Sequence, residues 1–502
     1  MFSNPKKIQI QIVTPALLVF VGFCFALTLL YVNSWLSSMY EHLSLDSHLI
    51  SKTELNSQLK GIERRLAAKE DELQVLLLPE GKLFANSFYG FALINMSLSN
   101  PADTGFRSHA LRQLEKLLAT IKAMEESYPF SGNAKIKPAG GIIIAGHSNL
   151  LRAGYVLLGG DNSAIIEDFH RSSAALNDAF LVGPVPFPEC YPGLTWAEDA
   201  IFALESLRLH DLIFHSDYTK ARCAWLLWMK NHLDKESGMM VSQVNPQTGE
   251  IEDGPRGSAL SWALTFLPQL DQDFARLQFA RFRDKWFVSF AGMLGIYEWY
   301  EGKEKPTKFH TGPVVFGLGS AASGIGIAAC RANEDYASWH KLLRSLETIG
   351  FPLSHIHGEK NYFWGQWLLA DELALWGKTI CRWDKPHNLT PKINQQPNRQ
   401  SHDTFIFTFL GACLLSIVVI LFFNRLLIFL IFDRSVQRPA WQRATIIAFV
   451  FQLLACAIFA LFPAISWMQV LLFMAVVTLL EELTIRPSIV AKIFNKNNEP
   501  GR

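Results

Sequence analysis

An almost unbroken apolar run from Ile12 to Leu36 is matched near the other end of the 502-residue chain by Thr404 to Phe432, Ala444 to Phe462 and Trp467 to Leu480. These runs restrict what the sequence can fold into. Crossing the hydrocarbon core of a bilayer as a helix takes about 20 mostly apolar residues, and inside lipid only helices or closed barrels satisfy every backbone N–H and C=O. All four runs approach that length, Trp467 to Leu480 being the shortest. The first is too long for a signal-peptide core and lacks an A-x-A cleavage site, so it reads as an uncleaved anchor. Half of all residues are hydrophobic and 18% are charged, on the apolar side for a water-soluble chain. One N-terminal and three C-terminal transmembrane helices are therefore expected, with residues 1–40 as anchor, 404–485 as the second set of spans and 486–502 as a tail.

Charge sets the orientation. Lys6 and Lys7 precede the first span, Asn33 to Ser51 holds no Lys or Arg, and Arg434, Arg438 and Arg443 follow the second span. The tail carries Arg486, Lys492 and Lys496. Basic residues near span ends stay on the cytoplasmic side. Both termini are thus expected in the cytoplasm, with the long intervening domain on the periplasmic face of a bacterial inner membrane. Lys385, Lys392 and Arg399 run against the rule on the outer side, although long exported domains cross largely regardless of charge. Net charge is +1 with no basic run outside the cytoplasmic flanks, which excludes nucleic acid as a partner and leaves membrane lipid.

After the first span, Leu55, Leu59, Ile62, Leu66, Leu73 and Leu76 alternate at spacings of four and three, with Lys69 breaking the seam. Residues 41–80 therefore read as a helical stalk that packs on the domain or on a like helix. The second case would make a homo-oligomer, although an intermolecular coiled coil takes about three or four clean heptads. Apolar residues then recur every three or four positions in Phe106 to Met124, Ser163 to Phe180, Trp196 to Phe214, Tyr218 to Leu233, Phe274 to Phe290 and Asp335 to Ile349. That spacing predicts helices. Gly238 to Glu252 instead alternates around Pro-Gln-Thr-Gly and predicts a hairpin. Residues 81–380 are expected to be mostly α, either an α/α toroid of the (α/α)6 type with its ligand site at the loops on one end, or an irregular helical bundle. Residues 381–403 read as a linker.

Within this region FPECYPGLTWAEDA, Phe187 to Ala200, crowds Glu189, Cys190, Glu198 and Asp199 among Phe187, Leu194 and Trp196. Thr195 followed by Glu198 is a capping box, which starts a helix and puts Asp199 in its first turn. Unpaired amides at a helix start favour negative charge, so a loop folded back over them would stabilise a Cys190 thiolate. The same amides keep Asp199 ionised unless apolar walls such as Trp196 raise its pKa, so base and acid both stay open. The plain alternative makes Glu198 and Asp199 ordinary first-turn acids and Cys190 a small buried hydrophobe. His147 stands where the apolar GGIIIAG passes into a helix at SNLL, either as a satisfied core imidazole or as a general acid or base. Arg256, in DGPRGSALSW, binds a substrate anion or pairs with Asp253.

Other patterns carry less. His355 and His357 form an HxH with no third ligand, so no metal site is expected. GLGSAA, Gly317 to Ala322, matches GxGxxA, but a dinucleotide site needs strand–helix–strand alternation. Here the small-residue helix SAASGIGIAACR runs directly into another, and close helix packing explains its glycines better. Seven cysteines with no CxxC pair argue against a zinc ribbon or a thioredoxin-like centre. Cys190, Cys223, Cys330 and Cys381 would lie in an oxidising compartment, where a bridge through Cys190 would remove it as an acid.

Taken in order, FYGFALINMSL, GHSNLL, ECYPG with AEDAIFALESL, the hairpin after LDKESG, SALSW followed by DQDF, and SAASGIGIAACR resemble the linalool dehydratase/isomerase family over Phe88 to Lys378. The resemblance implies an α/α toroid with a cofactor-free acid/base site that adds or removes water at an allylic alcohol and shifts a double bond. His147 matches the family's catalytic histidine, Cys190 its first catalytic cysteine, and the second falls here on Asp199. A carboxylate shuttles a proton as a thiol does. The family's further catalytic aspartate belongs to N-terminal helices, where this chain has its heptad segment. The expectation is a membrane-anchored lyase or isomerase for a small apolar alcohol or isoprenoid-like substrate. His147, Cys190 and Asp199 would be catalytic, Glu189, Trp196 and Arg256 would bind substrate, and no metal or cofactor would take part. Two other classes stay open. One is a glycan-processing toroid, with Trp196, Trp225, Trp228, Trp262, Trp286, Trp299, Trp364 and Trp367 stacking on sugars, although no carboxylate pair is identifiable. The other is a non-catalytic membrane scaffold that retains the ring.

Overall fold

The computed structural model describes residues 50–74, 78–290, 293–302, 312–350, 352–354 and 358–384. The four apolar runs, their charged flanks, His355 and His357, and all but the first residues of the 381–403 linker lie outside the described residues. The described residues fall within one compact unit, Met39–Asn398. No helix among them is long and apolar enough to cross a membrane.

The unit is mostly helical with few, short strands. In chain order the helices are α1 Lys52–Ala67, α2 Asp71–Gln74, α3 Gly81–Ser99, α4 Thr104–Met124, α5 Gly141–Leu157, α6 Ser163–Val182, α7 Ala197–Phe214, α8 Thr219–Asn231, α9 Gly257–Leu270, α10 Gln272–Trp286, α11 Ser320–Ala332, α12 Tyr336–Ile349 and α13 Leu368–Thr379. The strands are β1 Thr195–Trp196, β2 Gln243–Val244, β3 Ile251–Asp253, β4 Phe287–Phe290, β5 Met293–Ile296, β6 Val314–Val315, β7 Leu318–Gly319, β8 Leu353–Ser354 and β9 Lys360–Asn361. The helices expected from periodicity appear as α4, α6, α7, α8, α10 and α12. One of them is shorter than predicted. Residues 287–290 leave the helix after Trp286 and pair antiparallel with β5, because the aromatic and β-branched run Phe287–Val288 suits a pleated edge once a partner strand is present. The expected hairpin is β2–β3, and β1 extends it to three strands in the order β1–β2–β3.

Two classes of helix alternate. The even helices from α4 to α12 are two-faced: α4 buries Ala110, Leu114, Leu117, Leu118, Ile121 and Met124 along one stripe. The odd helices from α3 onward are buried on every side. Every residue of α5 from Gly141 to Tyr155 is buried, and so is every residue of α7 from Asp199 to Leu207. A helix apolar all round belongs inside a protein, not on its surface, which is why these segments, α7 apart, gave weaker periodic signals. Helix α3 packs on α5, α5 on α7, α7 on α9, α9 on α11, α11 on α13, and α13 back on α3. Helices α4, α6, α10 and α12 lie against α3, α5, α9 and α11 respectively, and α8 lies against α6 and α7.

The heptad segment packs on the domain rather than standing apart. Helix α1 contacts α13 and β9, burying Gln58, Leu59, Gly61, Ile62 and Arg65. Arg65 donates to Asp371 at 2.7 Å, and Lys378 reaches Glu54 at 2.8 Å and Gln58 at 3.1 Å. The seam ends where the chain turns at Lys69, whose φ is +59°.

Connections out of the odd helices are short (100–103, 158–162, 215–218, Asp271, 333–335), and those into them are long (125–140, 183–196, 232–256, 287–319, 350–367). All the described strands lie in the long ones. Irregular chain therefore accumulates at the N-terminal ends of the odd helices. GLGSAA is part of such a connection: Gly317 lies in the β6–β7 turn, Leu318–Gly319 form β7, and only Ser320 onward opens α11, with no parallel strand beside it among the described residues. The loop before α7 also touches the start of α5. Ile142 N–H donates to the Glu189 carbonyl at 2.9 Å, and Asn133 Nδ2 donates to the Cys190 carbonyl at 2.9 Å. Only glycine fits there: Gly141 has φ +83°, and a Cβ would lie 2.2 Å from the Cys190 oxygen. Gly141→Ala is expected to destabilise the chain by about 1–3 kcal/mol through backbone strain and overpacking. Gly132→Ala, where a Cβ meets nothing within 4 Å, should change stability by less than about 0.5 kcal/mol. Chemical denaturation of the two variants, followed by tryptophan fluorescence, measures the contrast.

Candidate functional site

The FPECYPG segment is fixed by its own backbone before any side chain is considered. Cys190 N–H donates to the Leu194 carbonyl at 2.8 Å, and Leu194 N–H returns to Tyr191 at 2.8 Å. Gly193 closes the turn with φ +75°. The capping box does not form: the Thr195 hydroxyl donates to the Pro188 carbonyl at 2.7 Å instead. Trp196 takes the N-cap position, and its N–H points at the Cys190 sulfur, 3.4 Å away. Helix α7 then begins at Ala197, whose N–H is taken by the Ser242 carbonyl of the neighbouring strand segment at 2.9 Å. This geometry places the Cys190 thiol 3.0 Å from Asp199 Oδ2, donating its hydrogen. Cys190 is fully buried and Asp199 is 8% exposed.

Burial, not the helix start, governs the protonation here. The Cys190 thiol is pushed well above its usual range, first by burial and then by the adjacent Asp199 charge. The loop does fold back so that one amide aims at the sulfur, but loss of solvation outweighs that single N–H and keeps the thiol protonated. Asp199 is pushed up to about 7, chiefly by burial, with the Cys190 hydrogen bond opposing and the charge of Glu80 reinforcing. Glu80 lies just before α3 and accepts the Tyr191 hydroxyl at 2.6 Å. Burial and then Glu80 hold that phenol protonated. Glu198 is also driven well above the carboxylate range by burial and by Asp199, and its Oε2 is enclosed without a hydrogen-bond partner.

His147 lies in the middle of α5, not at a helix entrance, because the GGIIIAG run is itself helical from Gly141. It is buried but not satisfied: neither Nδ1 nor Nε2 has a hydrogen-bond partner. Its ring stacks on Phe202 at 4.2 Å between centroids and lies 5.6, 5.9 and 6.0 Å from Phe84, Phe88 and Phe91. Burial lowers its pKa to about 3, so the imidazole is neutral. Cys190 packs at Gly141, and six residues of helix set His147 about 9 Å further along α5. Phe202, which it stacks on, lies one turn beyond Asp199. The histidine thus sits deeper along the same pair of helices, with no hydrogen bond to Cys190 or Asp199.

The three residues expected to bind substrate are held by neighbours in the fold. Glu189 Oε1 accepts Gly193 N–H at 2.8 Å and Gln247 Nε2 at 2.7 Å, holding the turn. Trp196 is half-buried and stands edge-on to Tyr191 at 6.3 Å. Arg256 does face Asp253, at 3.6 Å, but its closer partner is Glu298 at 3.0 Å. Glu298 also accepts the Ser258 hydroxyl at 2.7 Å and lies against Gly319, so this cluster ties the starts of α9 and α11. Its guanidinium is committed to two carboxylates. Sequence reasoning missed Glu80, Tyr191 and Glu298. Tyr191 adjoined the chosen cysteine, whereas Glu80 and Glu298 carried no local pattern. Trp225, Trp286 and Trp299 are buried in the core, which removes them as sugar-stacking surfaces.

Farther along α7, Arg208 holds Glu205 at 2.8 Å and Asp384 at 3.3 Å. Cys190, Cys223, Cys330 and Cys381 are all free thiols. Among the described residues no three His, Cys, Asp or Glu side chains are grouped as a metal ion would require. No protein-family model matches the chain, and no curated protein matches it.

A buried neutral thiol is inert. A thiol reagent at neutral pH is expected to modify exposed Cys223 and to leave Cys190 untouched, as peptide mass analysis would reveal. Asp199 titrates near 7 in the folded chain against 3.8 when exposed. The native state therefore binds the extra proton between those values, and the stability present below about pH 4 is lost as pH rises through 7. Relative to wild type, Asp199→Asn should gain melting temperature from pH 4 to about pH 7 and level off above it; a pH-independent difference would contradict the assignment.

Proposed function

We propose that the chain is a membrane-anchored acid/base enzyme whose domain is an (α/α)6 toroid. Helices α3, α5, α7, α9, α11 and α13 would form the inner ring and α1, α4, α6, α8, α10 and α12 the outer one. Supporting this is the cyclic packing of the buried odd helices, each against the next and the last against the first. The apolar runs at both ends of the sequence would hold the domain at the outer face of the membrane, with both termini cytoplasmic.

The observation that carries the chemistry is the buried Cys190–Asp199 contact at 3.0 Å; deeper along α5 and α7 the rings of Phe84, Phe88 and Phe202 pack on His147 and on Trp262. A carboxyl group titrating near neutrality is available both as acid and as base. Protonated Asp199 gives its proton to the hydroxyl of an allylic alcohol, the C–O bond breaks, and water leaves with the bonding pair. Positive charge developing on the allylic carbons lies against aromatic faces, which stabilise a cation by roughly 1–2 kcal/mol each when desolvated. The Asp199 carboxylate then removes a proton from the neighbouring carbon, the C–H pair becomes the new double bond, and the acid is restored. Run in reverse from the other allylic end, the same steps add water and shift the double bond. The Cys190 thiol donates to whichever oxygen carries charge, and neutral His147 offers one donor and one acceptor to orient the substrate. This class of reaction agrees with the resemblance to the linalool dehydratase/isomerase family, with Asp199 standing where that family has its second cysteine.

Incubating the purified full-length chain with allylic terpenoid alcohols in D2O tests the proposal by deuterium incorporation and product analysis. Asp199→Asn is expected to lower turnover by about 10²–10⁴ at neutral pH without lowering the melting temperature. His147→Ala should raise KM and lower kcat together. Wild-type turnover in Asp199→Asn, or no conversion of any allylic alcohol by wild type, would sink the reading.

A further inference from the structure

One buried arginine differs from the others. Arg65 meets Glu70 and Asp371, Arg208 meets Glu205 and Asp384, and Arg256 meets Glu298 and Asp253. Arg152, on α5, is 9% exposed, yet among the described residues it has no carboxylate at ion-pair distance. Its one hydrogen bond there runs from Nη1 to the Ser148 hydroxyl, a turn back along α5, at 3.2 Å. Neither Nε nor Nη2 is sealed from solvent. A guanidinium stays charged in a protein, so Arg152 cannot answer burial by changing its protonation as Asp199 does. A charge taken out of water without a counter-charge costs several kcal/mol.

The helix contacts fix where this guanidinium looks. Tyr155 of α5 reaches α4, where its hydroxyl donates to Glu115 at 2.8 Å, and Asn149 reaches α6, where its amide donates to Ser173 at 3.0 Å. At about 100° per residue, Ser148 and Arg152 fall between those two directions and face the groove between α4 and α6. Lys122 of α4 and Asp168 of α6 approach to 3.8 Å across that groove, and Arg171 of α6 pairs with Asp168 as well. Helices α5 and α6 are antiparallel neighbours, so with Asn149 opposite Ser173, Arg152 comes level with the turn that carries Arg171.

The acids of the groove are engaged elsewhere. Asp168 already carries Lys122 and Arg171. Glu115 lies two turns along α4 from Lys122 and is taken by Tyr155. Glu125, just past the end of α4, is pushed upward by burial. The Lys122 and Arg171 side chains are 65% and 66% exposed, so they stand at the rim while Arg152 forms the floor.

We infer that this groove binds a phosphate-type oxyanion, with Arg152 beneath it and Lys122 and Arg171 closing from the rim. The donors that the fold leaves open decide the class of ligand. With Nη1 committed to Ser148, Nε–H and the adjacent Nη2–H remain, and that edge of a guanidinium presents two parallel donors matched to two oxygens of one phosphoryl group. A soluble phosphate and a lipid phosphate headgroup share this chemistry. The groove lies on the outward side of α5, away from His147 and the aromatic rings, so the inference is independent of the reaction proposed for Asp199.

Thermal unfolding of the full-length chain in detergent, at fixed ionic strength and neutral pH, tests the site in two arms. In one, chloride is replaced by inorganic phosphate; in the other, phosphatidic acid is added to the micelle. In at least one arm the melting temperature of wild type should rise saturably, by about 3 °C or more. A rise with inorganic phosphate assigns a soluble ligand, and a rise with phosphatidic acid alone assigns a headgroup. Arg152→Lys keeps the charge but loses the two-donor edge, and should move the titration midpoint about tenfold or more to higher ligand. If that variant does not fold, Lys122→Gln combined with Arg171→Gln, both at exposed positions, should weaken the midpoint in the same direction. No rise in either arm overturns the site. So does a titration that is unchanged in Arg152→Lys or, where that variant does not fold, in the rim double variant.

Discussion

Burial of acidic groups without a cation beside them is the condition on which the candidate chemistry rests. Several buried acids on the odd helices and their loops are matched: Asp371 by Arg65, Glu205 by Arg208, Glu298 by Arg256. Glu54 shows what matching does. Burial works against its carboxylate, yet Lys378 and Lys360 outweigh that cost and hold it well below the usual range. Cys190, Asp199, Glu198 and Glu372 have no such partner, and burial drives all of them toward the protonated form. Pairing does not by itself lower a buried acid, since Asp371 is still pushed up to about 7 and Glu205 is pushed upward, each chiefly by burial, despite Arg65 and Arg208. What sets Cys190, Asp199, Glu198 and Glu372 apart is the lack of an ion pair, and the paired acids would lose about 3–5 kcal/mol if one partner were removed.

The paired clusters do mechanical work at a distance from the thiol. Helix α1, first in the described chain, is fastened to α13, the last, by Arg65–Asp371 and by Lys378 with Glu54 and Gln58. Lys378 also donates to the Tyr362 hydroxyl at 2.5 Å, which in turn bonds Glu347. These contacts join α1, α12, α13 and β9 through one polar network. The Arg256–Glu298–Ser258 cluster plays the same part between α9 and α11. With the helices held from outside and between their starts, the long loops can carry turns as tight as Cys190–Leu194 without distorting the helices they introduce.

Legibility followed the range of the interaction. Helices with one wet face were readable to within a few residues, because a half-buried helix must repeat apolar residues at 3.6-residue spacing. Helix α10 was overrun at Phe290, where pairing with β5, itself too short to announce a strand, decided the outcome. The Cys190–Asp199 pair was legible because both residues belong to one loop and one helix start. The capping box failed for a reason only the fold supplies, since Thr195 found the Pro188 carbonyl first. Arg256 was matched to Asp253, three residues away, while its better partner Glu298 is 42 residues distant.

By itself the sequence determined the membrane-length apolar runs, the helical class of the domain, and which loop brings a thiol and a carboxyl group within reach of each other. Those properties depend on composition and spacing along the chain, and local physics acts on them directly. The tertiary structure alone decided the protonation states. The thiolate that a folded-back loop could have favoured gives way to a neutral thiol, and Asp199 is pushed toward 7. His147, expected at a helix entrance, lies enclosed by phenylalanine rings with both nitrogens unpaired. Glu80, Tyr191, Glu298 and Glu372 gained their places in the same way. Desolvation is a property of what surrounds a group in space, and those surroundings are assembled from helices far apart in the chain.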